Sequence, residues 1–102
     1  MNRERIFIEH ITSEVYKMLV LREKTDNGDV VYLEAYVKSL YLEVNGAFYW
    51  SSFLAEDTRY ASVTSILAYL SENEVDYPQY RRGVFKMLGL LNKISKELGG
   101  DA

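Results

Sequence analysis

Apolar residues recur along this chain at intervals of three and four, the spacing that lines one face of an α-helix. Between residues 3 and 23, Ile8, Ile11, Val15 and Met18 share a face, and Leu19 widens it. The long stretch from Val30 to Ala55 carries a stripe at Leu33, Val37, Leu40, Val44, Ala47 and Leu54, close to heptad spacing. A shorter segment from Thr58 to Leu70 presents Val63, Ile66, Leu67 and Leu70, and is rich in serine and alanine. The last segment has the most regular heptad: Tyr80, Val84, Met87, Leu91, Ile94 and Leu98. Four amphipathic helices follow from this pattern.

Residues suited to turns and caps separate the four segments. Thr25 to Asp29 contains Asn27-Gly28, and Asp29 can cap the helix after it. Asp57 or Thr58 can cap the third helix, and Asp76 the fourth, whose first turn would hold Pro78, the only proline. Lys93 and Lys96 complement the dipole of that last helix, and Gly99-Gly100 ends it. No repeat, low-complexity tract or long linker divides the chain. Short connections between four helices predict one domain over residues 1–102, an all-α antiparallel four-helix bundle.

A rival reading uses Asn27-Gly28 and Asn45-Gly46 as hairpin turns. It gives an α+β fold with a three-stranded meander in residues 15–54: Val15–Arg22, Val30–Val44 and Ala47–Leu54. Period decides against it. Val30-Val31, Tyr36-Val37 and Leu40-Tyr41-Leu42 are apolar neighbours where a strand would alternate. Gly46 is the weak point of the helical reading, since glycine inside a helix costs roughly 1 kcal/mol relative to alanine.

Composition adds limits. The chain has 102 residues, 48% of them hydrophobic and 26% charged, too apolar for intrinsic disorder and long enough for a real core. There is no cysteine, which excludes disulfides, thiolate metal sites and thiol nucleophiles together. The N-terminal residues carry both signs of charge and the apolar positions after them are interrupted, so the chain reads as lacking a signal peptide. No run approaches ~18 apolar residues, so no membrane span is expected, although peripheral contact stays open. A cytoplasmic protein is the expectation.

The net charge of −3 hides a gradient: +1 over residues 1–25, −7 over 26–76 and +3 over 77–102. An acidic middle repels phosphate backbones, so direct nucleic-acid binding is not expected.

Candidate chemistry is sparse. His10 is the only histidine and has no sequence neighbour beyond Glu9 and Glu14, the latter four residues on along the same helix. The Glu and Glu-x-x-His pattern of dinuclear helical-bundle sites is missing, and Gly83 and Gly89 are isolated helical glycines rather than a phosphate loop. The sequence therefore reads as non-enzymatic, with no cofactor and no metal site. Tyrosine is the unusual count, nine, with four phenylalanines and one tryptophan. Tyrosine and tryptophan give large contact area with few torsions to freeze, which suits interfaces. Their ordinary place is at core margins with the polar tip in water.

Three segments resemble the immunity proteins of class IIa bacteriocins, the enterocin A type: Ser65-Ile66-Leu67-Ala68-Tyr69-Leu70, Tyr77-Pro78-Gln79-Tyr80 and Leu90-Leu91-Asn92-Lys93-Ile94. The acidic pI of about 5.1 and the aromatic second helix depart from that family. The resemblance implies a four-helix bundle that protects its host by binding, with the C-terminal half choosing a toxin–receptor complex at the inner membrane face.

Two sets of residues are candidates for binding. On a continuous second helix Leu42, Gly46, Tyr49 and Phe53 would form a stripe behind the core stripe, with Val31 and Ala35 on the same side, Trp50 beside Tyr49, and Gly46 admitting a neighbouring backbone. A second copy of the chain, giving a two-fold dimer, is the simplest partner for such a stripe. The other set is the acidic turn Glu72, Glu74 and Asp76. The expected function is that of a non-catalytic protein-binding module acting stoichiometrically, with bacteriocin immunity as its narrower form. The alternative is a small phage or mobile-element inhibitor of anti-CRISPR type, whose acidic surface imitates nucleic acid.

Overall fold

The computed structural model describes residues 2–24 and 30–99. They form α1 (Arg3–Lys24), α2 (Val30–Gly46), a 3-10 turn (Ala47–Tyr49), α3 (Ser52–Glu56), α4 (Thr58–Glu72) and α5 (Tyr77–Gly99). There is no strand among the described residues, so the chain is all-α and the meander is excluded. The residues from Thr25 to Asp29 and Gly100 lie outside the described set, and with them the expected Asn27-Gly28 turn and Asp29 cap. The side chain of Val31 does so as well.

Each long helix packs against two others, so that α1, α2, α4 and α5 close a four-sided bundle in which neighbours run antiparallel. The apolar stripes meet inside it. Ile8, Ile11, Val15, Met18 and Leu19 of α1 are buried, as are Leu33, Val37, Leu40 and Val44 of α2, together with Ala47 and Leu54. Val63 and Leu67 of α4 join them, as do Tyr80, Val84, Met87, Leu91 and Ile94 of α5. Ile66, Leu70 and Leu98, expected in the core, are only partly buried.

The second predicted helix does not run on to Ala55. Its break is not where glycine suggested: Gly46 keeps right-handed helical angles (φ −62°, ψ −26°), and the chain stays helical through the 3-10 turn. The change of direction comes at Trp50 and Ser51. Ser51 is extended (φ −130°, ψ 106°) and caps α3, its Oγ accepting from the Leu54 amide at 3.1 Å. The same hydroxyl donates to Glu4 of α1 at 3.0 Å, and Ser51 is itself buried. Trp50 then lies edge-on to Phe7 of α1, ring centroids 5.2 Å apart, with the Arg3 guanidinium 4.6 Å above its indole. Long-range docking to α1 within the same chain takes the place of the helical continuity available locally.

Three tyrosine hydroxyls join helices by bonding to main-chain carbonyls. Tyr36 of α2 reaches the Glu14 carbonyl at 2.9 Å and also its carboxylate. Tyr80 of α5 donates to Met18 at 3.0 Å, and Tyr60 of α4 donates to Val44. Burial pushes the Tyr60 and Tyr80 hydroxyls well above the usual phenol range, and burial followed by Glu14 does the same for Tyr36.

Asp57 starts α4. Its carboxylate accepts from the amides of Arg59 (2.8 Å) and Tyr60 (3.2 Å) and pairs with the Arg59 guanidinium, which also meets Glu97 of α5. The Arg59 bond, more than the backbone amides, holds the Asp57 carboxyl below its ordinary range despite partial burial. A lowered folded value means the stabilisation is present above the ordinary carboxylate range and is lost as pH falls through that lowered value. Asp57→Ala should cost about 0.5–2 kcal/mol at neutral pH. Urea titrations repeated down to acid pH should show a smaller acid loss for the variant than for the parent chain. Equal acid slopes would remove Asp57 from the account.

Candidate functional site

The seven residues expected at a binding surface are all exposed, but they occupy opposite ends of the bundle. Leu42, Tyr49, Trp50 and Phe53 sit where α2 gives way to α3. Glu72, Glu74 and Asp76 sit at and after the end of α4.

At the aromatic end the run Phe48-Tyr49-Trp50 divides three ways. Phe48 turns inward against Tyr60, ring centroids 5.4 Å apart, and Trp50 packs on Phe7. Tyr49 is left pointing out, 89% exposed. Because Gly46 remains helical, Leu42, Gly46 and Tyr49 still share an outer face. Leu42 is 64% exposed, and a Cβ built on Gly46 would meet nothing within 4 Å. Phe53 departs from that line, since the turn at Ser51 carries it onto α3. The expected four-membered stripe is thus a three-membered strip with Phe53 on a separate short helix. Exposing this much apolar area in one region costs solvation free energy of roughly 25 cal/mol per Å², which a partner would recover.

At the acidic end Asp76 is occupied. Its carboxylate caps α5 by accepting from the Gln79 amide at 2.9 Å, and its carbonyl accepts from Tyr80 at 3.0 Å. Glu72 and Glu74 remain as the exposed carboxylates of the turn.

His10 does not pair with Glu14. Its Nε2 lies 3.0 Å from the Glu43 carboxylate on α2, with both side chains about half exposed. Glu14 is taken instead by the Tyr36 hydroxyl, with Lys17 as a second partner at 3.4 Å, and the Tyr36 bond holds its carboxyl below the usual range. No group of three or more His, Asp and Glu side chains converges as metal ligands would among the described residues, and none of their helices is long and apolar enough to cross a membrane.

Sequence reasoning missed a third feature. Between α4 and α5 lies an open groove of about 380 Å³, lined chiefly by Ile66, Tyr69, Leu70, Val75, Arg82 and Gly83. Gly83 forms its floor: a Cβ there would sit 3.4 Å from Leu70 Cδ1 and 3.5 Å from Ile66 Cγ2. This explains why Ile66 and Leu70 are half-buried rather than central. A signal for it exists in the sequence, where Tyr60 to Ser71 holds no charged residue and Tyr77 to Lys96 no acidic one.

Comparison with known proteins gives no match, whether to a family model, to a curated protein or to a solved structure.

Proposed function

We propose that the chain is a non-catalytic, cytoplasmic protein-binding module that acts by stoichiometric association through its aromatic end. The observation that carries this reading is the outward strip of Leu42, bare Gly46 and Tyr49, with Phe53 and the partly covered Trp50 close in sequence. Aromatic side chains that are rigid and already exposed lose little freedom on binding. A second copy of the chain is the simplest partner, with each strip meeting its counterpart about a two-fold axis. The narrower reading, host protection against a class IIa bacteriocin, rests on the resemblance of Ser65–Leu70, Tyr77–Tyr80 and Leu90–Ile94 and requires the same mode of action.

The acidic-mimic alternative draws on Glu72 and Glu74. It asks for a row of free carboxylates, whereas Asp76 is engaged in capping and the adjoining face of α5 carries cations.

Tyr49→Lys with Phe53→Lys tests the proposal. Both positions are exposed, so the double variant should keep its helical circular dichroism and its stability to within ~0.5 kcal/mol. The parent chain should sediment as a dimer at high concentration and the variant as a monomer. If the parent chain is monomeric, the aromatic end must serve a different protein. Growth protection against a panel of bacteriocins, lost in the double variant, then identifies the immunity form. A double variant that unfolds would assign both aromatics to the core and sink the reading.

A further inference from the structure

The outward side of α5 carries charge of one sign. Arg82, Phe85, Gly89, Lys93 and Lys96 step by three, four, four and three residues, so they form a stripe directly opposite the buried one that runs from Tyr80 to Ile94. Arg81 and Lys86 flank it on either side, and all of these residues are exposed. None of the five cations pairs with a carboxylate among the described residues; Arg81 instead lies 4.8 Å over the Phe85 ring. Phe85 stays 46% exposed, and a Cβ on Gly89 would meet nothing within 4 Å, so the middle of the stripe is bare.

The carboxylates lie elsewhere. Glu97, on the same helix, is held by Arg59 at the α4 edge, and Glu9 of α1 is held by Arg5. Glu34 and Glu43 stand on α2, which is diagonal to α5 across the bundle. The acidic turn Glu72, Glu74 and Asp76 precedes α5. From Asp76 it is roughly 15 Å along the helix to Lys86 and about 25 Å to Lys93, beyond the ~8 Å that salt leaves unscreened.

We propose that the outward face of α5 docks on a bilayer containing anionic phospholipid, with its lysines and arginines against the phosphate layer and Phe85 among the headgroups. The apolar stripe of α5 is kept in the core, so attachment is by charge and one aromatic ring rather than by insertion of the helix. Each cation near such a surface strengthens attachment by roughly fivefold. A headgroup layer is planar and its lipids rearrange, so it meets a convex ridge of cations without a matching pocket. A nucleic-acid duplex laid along the ridge would run over the acidic turn and would offer Phe85 no apolar layer. With α5 on the bilayer, the strip of Leu42, Gly46 and Tyr49 on the opposite corner points away from it and stays open to a protein.

Flotation of the intact chain with vesicles tests this. It should rise with vesicles of equal parts phosphatidylcholine and phosphatidylglycerol, not with phosphatidylcholine alone, and binding should fall as salt is raised. Lys93→Glu and Lys38→Glu change the net charge equally, at exposed positions on opposite corners of the bundle. The first should weaken binding by about fivefold or more and the second by no more than about twofold, with helical circular dichroism kept in both. Lys86→Glu should act as Lys93→Glu does. Phe85→Ala should also weaken binding, by a factor that does not shrink as salt rises. No preference for the anionic vesicles, or equal effects of Lys93→Glu and Lys38→Glu, would overturn the proposal. A short DNA duplex bound in place of the vesicles and released by Lys93→Glu would overturn it too, and assign the ridge to nucleic acid. Tyr49→Lys with Phe53→Lys should not weaken vesicle binding, so this reading and that of the aromatic end fail separately.

Discussion

Leu91→Ala is expected to destabilise the chain by about 2–5 kcal/mol. Leu91 is fully buried in α5, between Met87 and Ile94 on the same stripe, and α5 packs on both α1 and α4. Truncation removes apolar contact to two neighbours at once, and the antiparallel helices around it cannot both move in to fill the space. A domain of this size has only ~5–15 kcal/mol in hand, so the loss is a large fraction of the total. The urea midpoint should shift with little change in slope, as for a stability effect without a change in compactness. A cost below ~1 kcal/mol would mean that α5 lies at the margin of the core, which contradicts its burial.

Tyr60 provides the second large effect, and a pair of variants separates its two contributions. The ring is fully buried at the start of α4, edge-on to Phe48, and its hydroxyl donates to the Val44 carbonyl in the last turn of α2. Carbonyls in that turn run out of intrahelical donors, so a side chain that supplies one satisfies a group otherwise costly to bury. Tyr60→Phe keeps the ring and should cost about 1–3 kcal/mol. Tyr60→Ala loses the ring as well and should cost about 3–5 kcal/mol. Equal effects in the two variants would show that the ring contributes little, and a neutral Tyr60→Phe would remove the hydrogen bond from the energetics.

The fold was legible because burial imposes periodicity. Nearly every residue of the four apolar stripes is buried, from Ile8 in α1 to Ile94 in α5, and the caps at Asp57 and Asp76 are where composition placed them. What could not be read locally depends on distant partners. Ser51 redirects the chain by bonding Glu4, 47 positions away, while the more obvious breaker, Gly46, stays helical. His10 finds Glu43 across two helices rather than its neighbour Glu14. Tyr60 carries no polar signal in sequence that distinguishes it from the exposed Tyr49, since both are aromatic residues in helical segments. Of the candidate site, the exposure of all seven residues was readable and the geometry was not. A turn separates Phe53 from Leu42 and Tyr49, and the groove over Gly83 exists only where two helices meet.

The tyrosine bonds bear on how the helices can move relative to one another. Apolar stripes repeat, so two helices that slip by a turn, about 5.4 Å, can still match one aliphatic side chain to the next. A phenol held by one main-chain carbonyl offers no equivalent position a turn away, because its ring must fill the same gap. Tyr36 locks α2 against α1, Tyr60 locks α4 against α2, and Tyr80 locks α5 against α1. The α4–α5 seam has no such lock among the described residues; the Arg59–Glu97 ion pair and apolar contact hold it. Because α4 is tied to α2, α2 to α1 and α1 to α5, the three locks fix the axial register of all four helices, and the α4–α5 seam inherits its register from the other three.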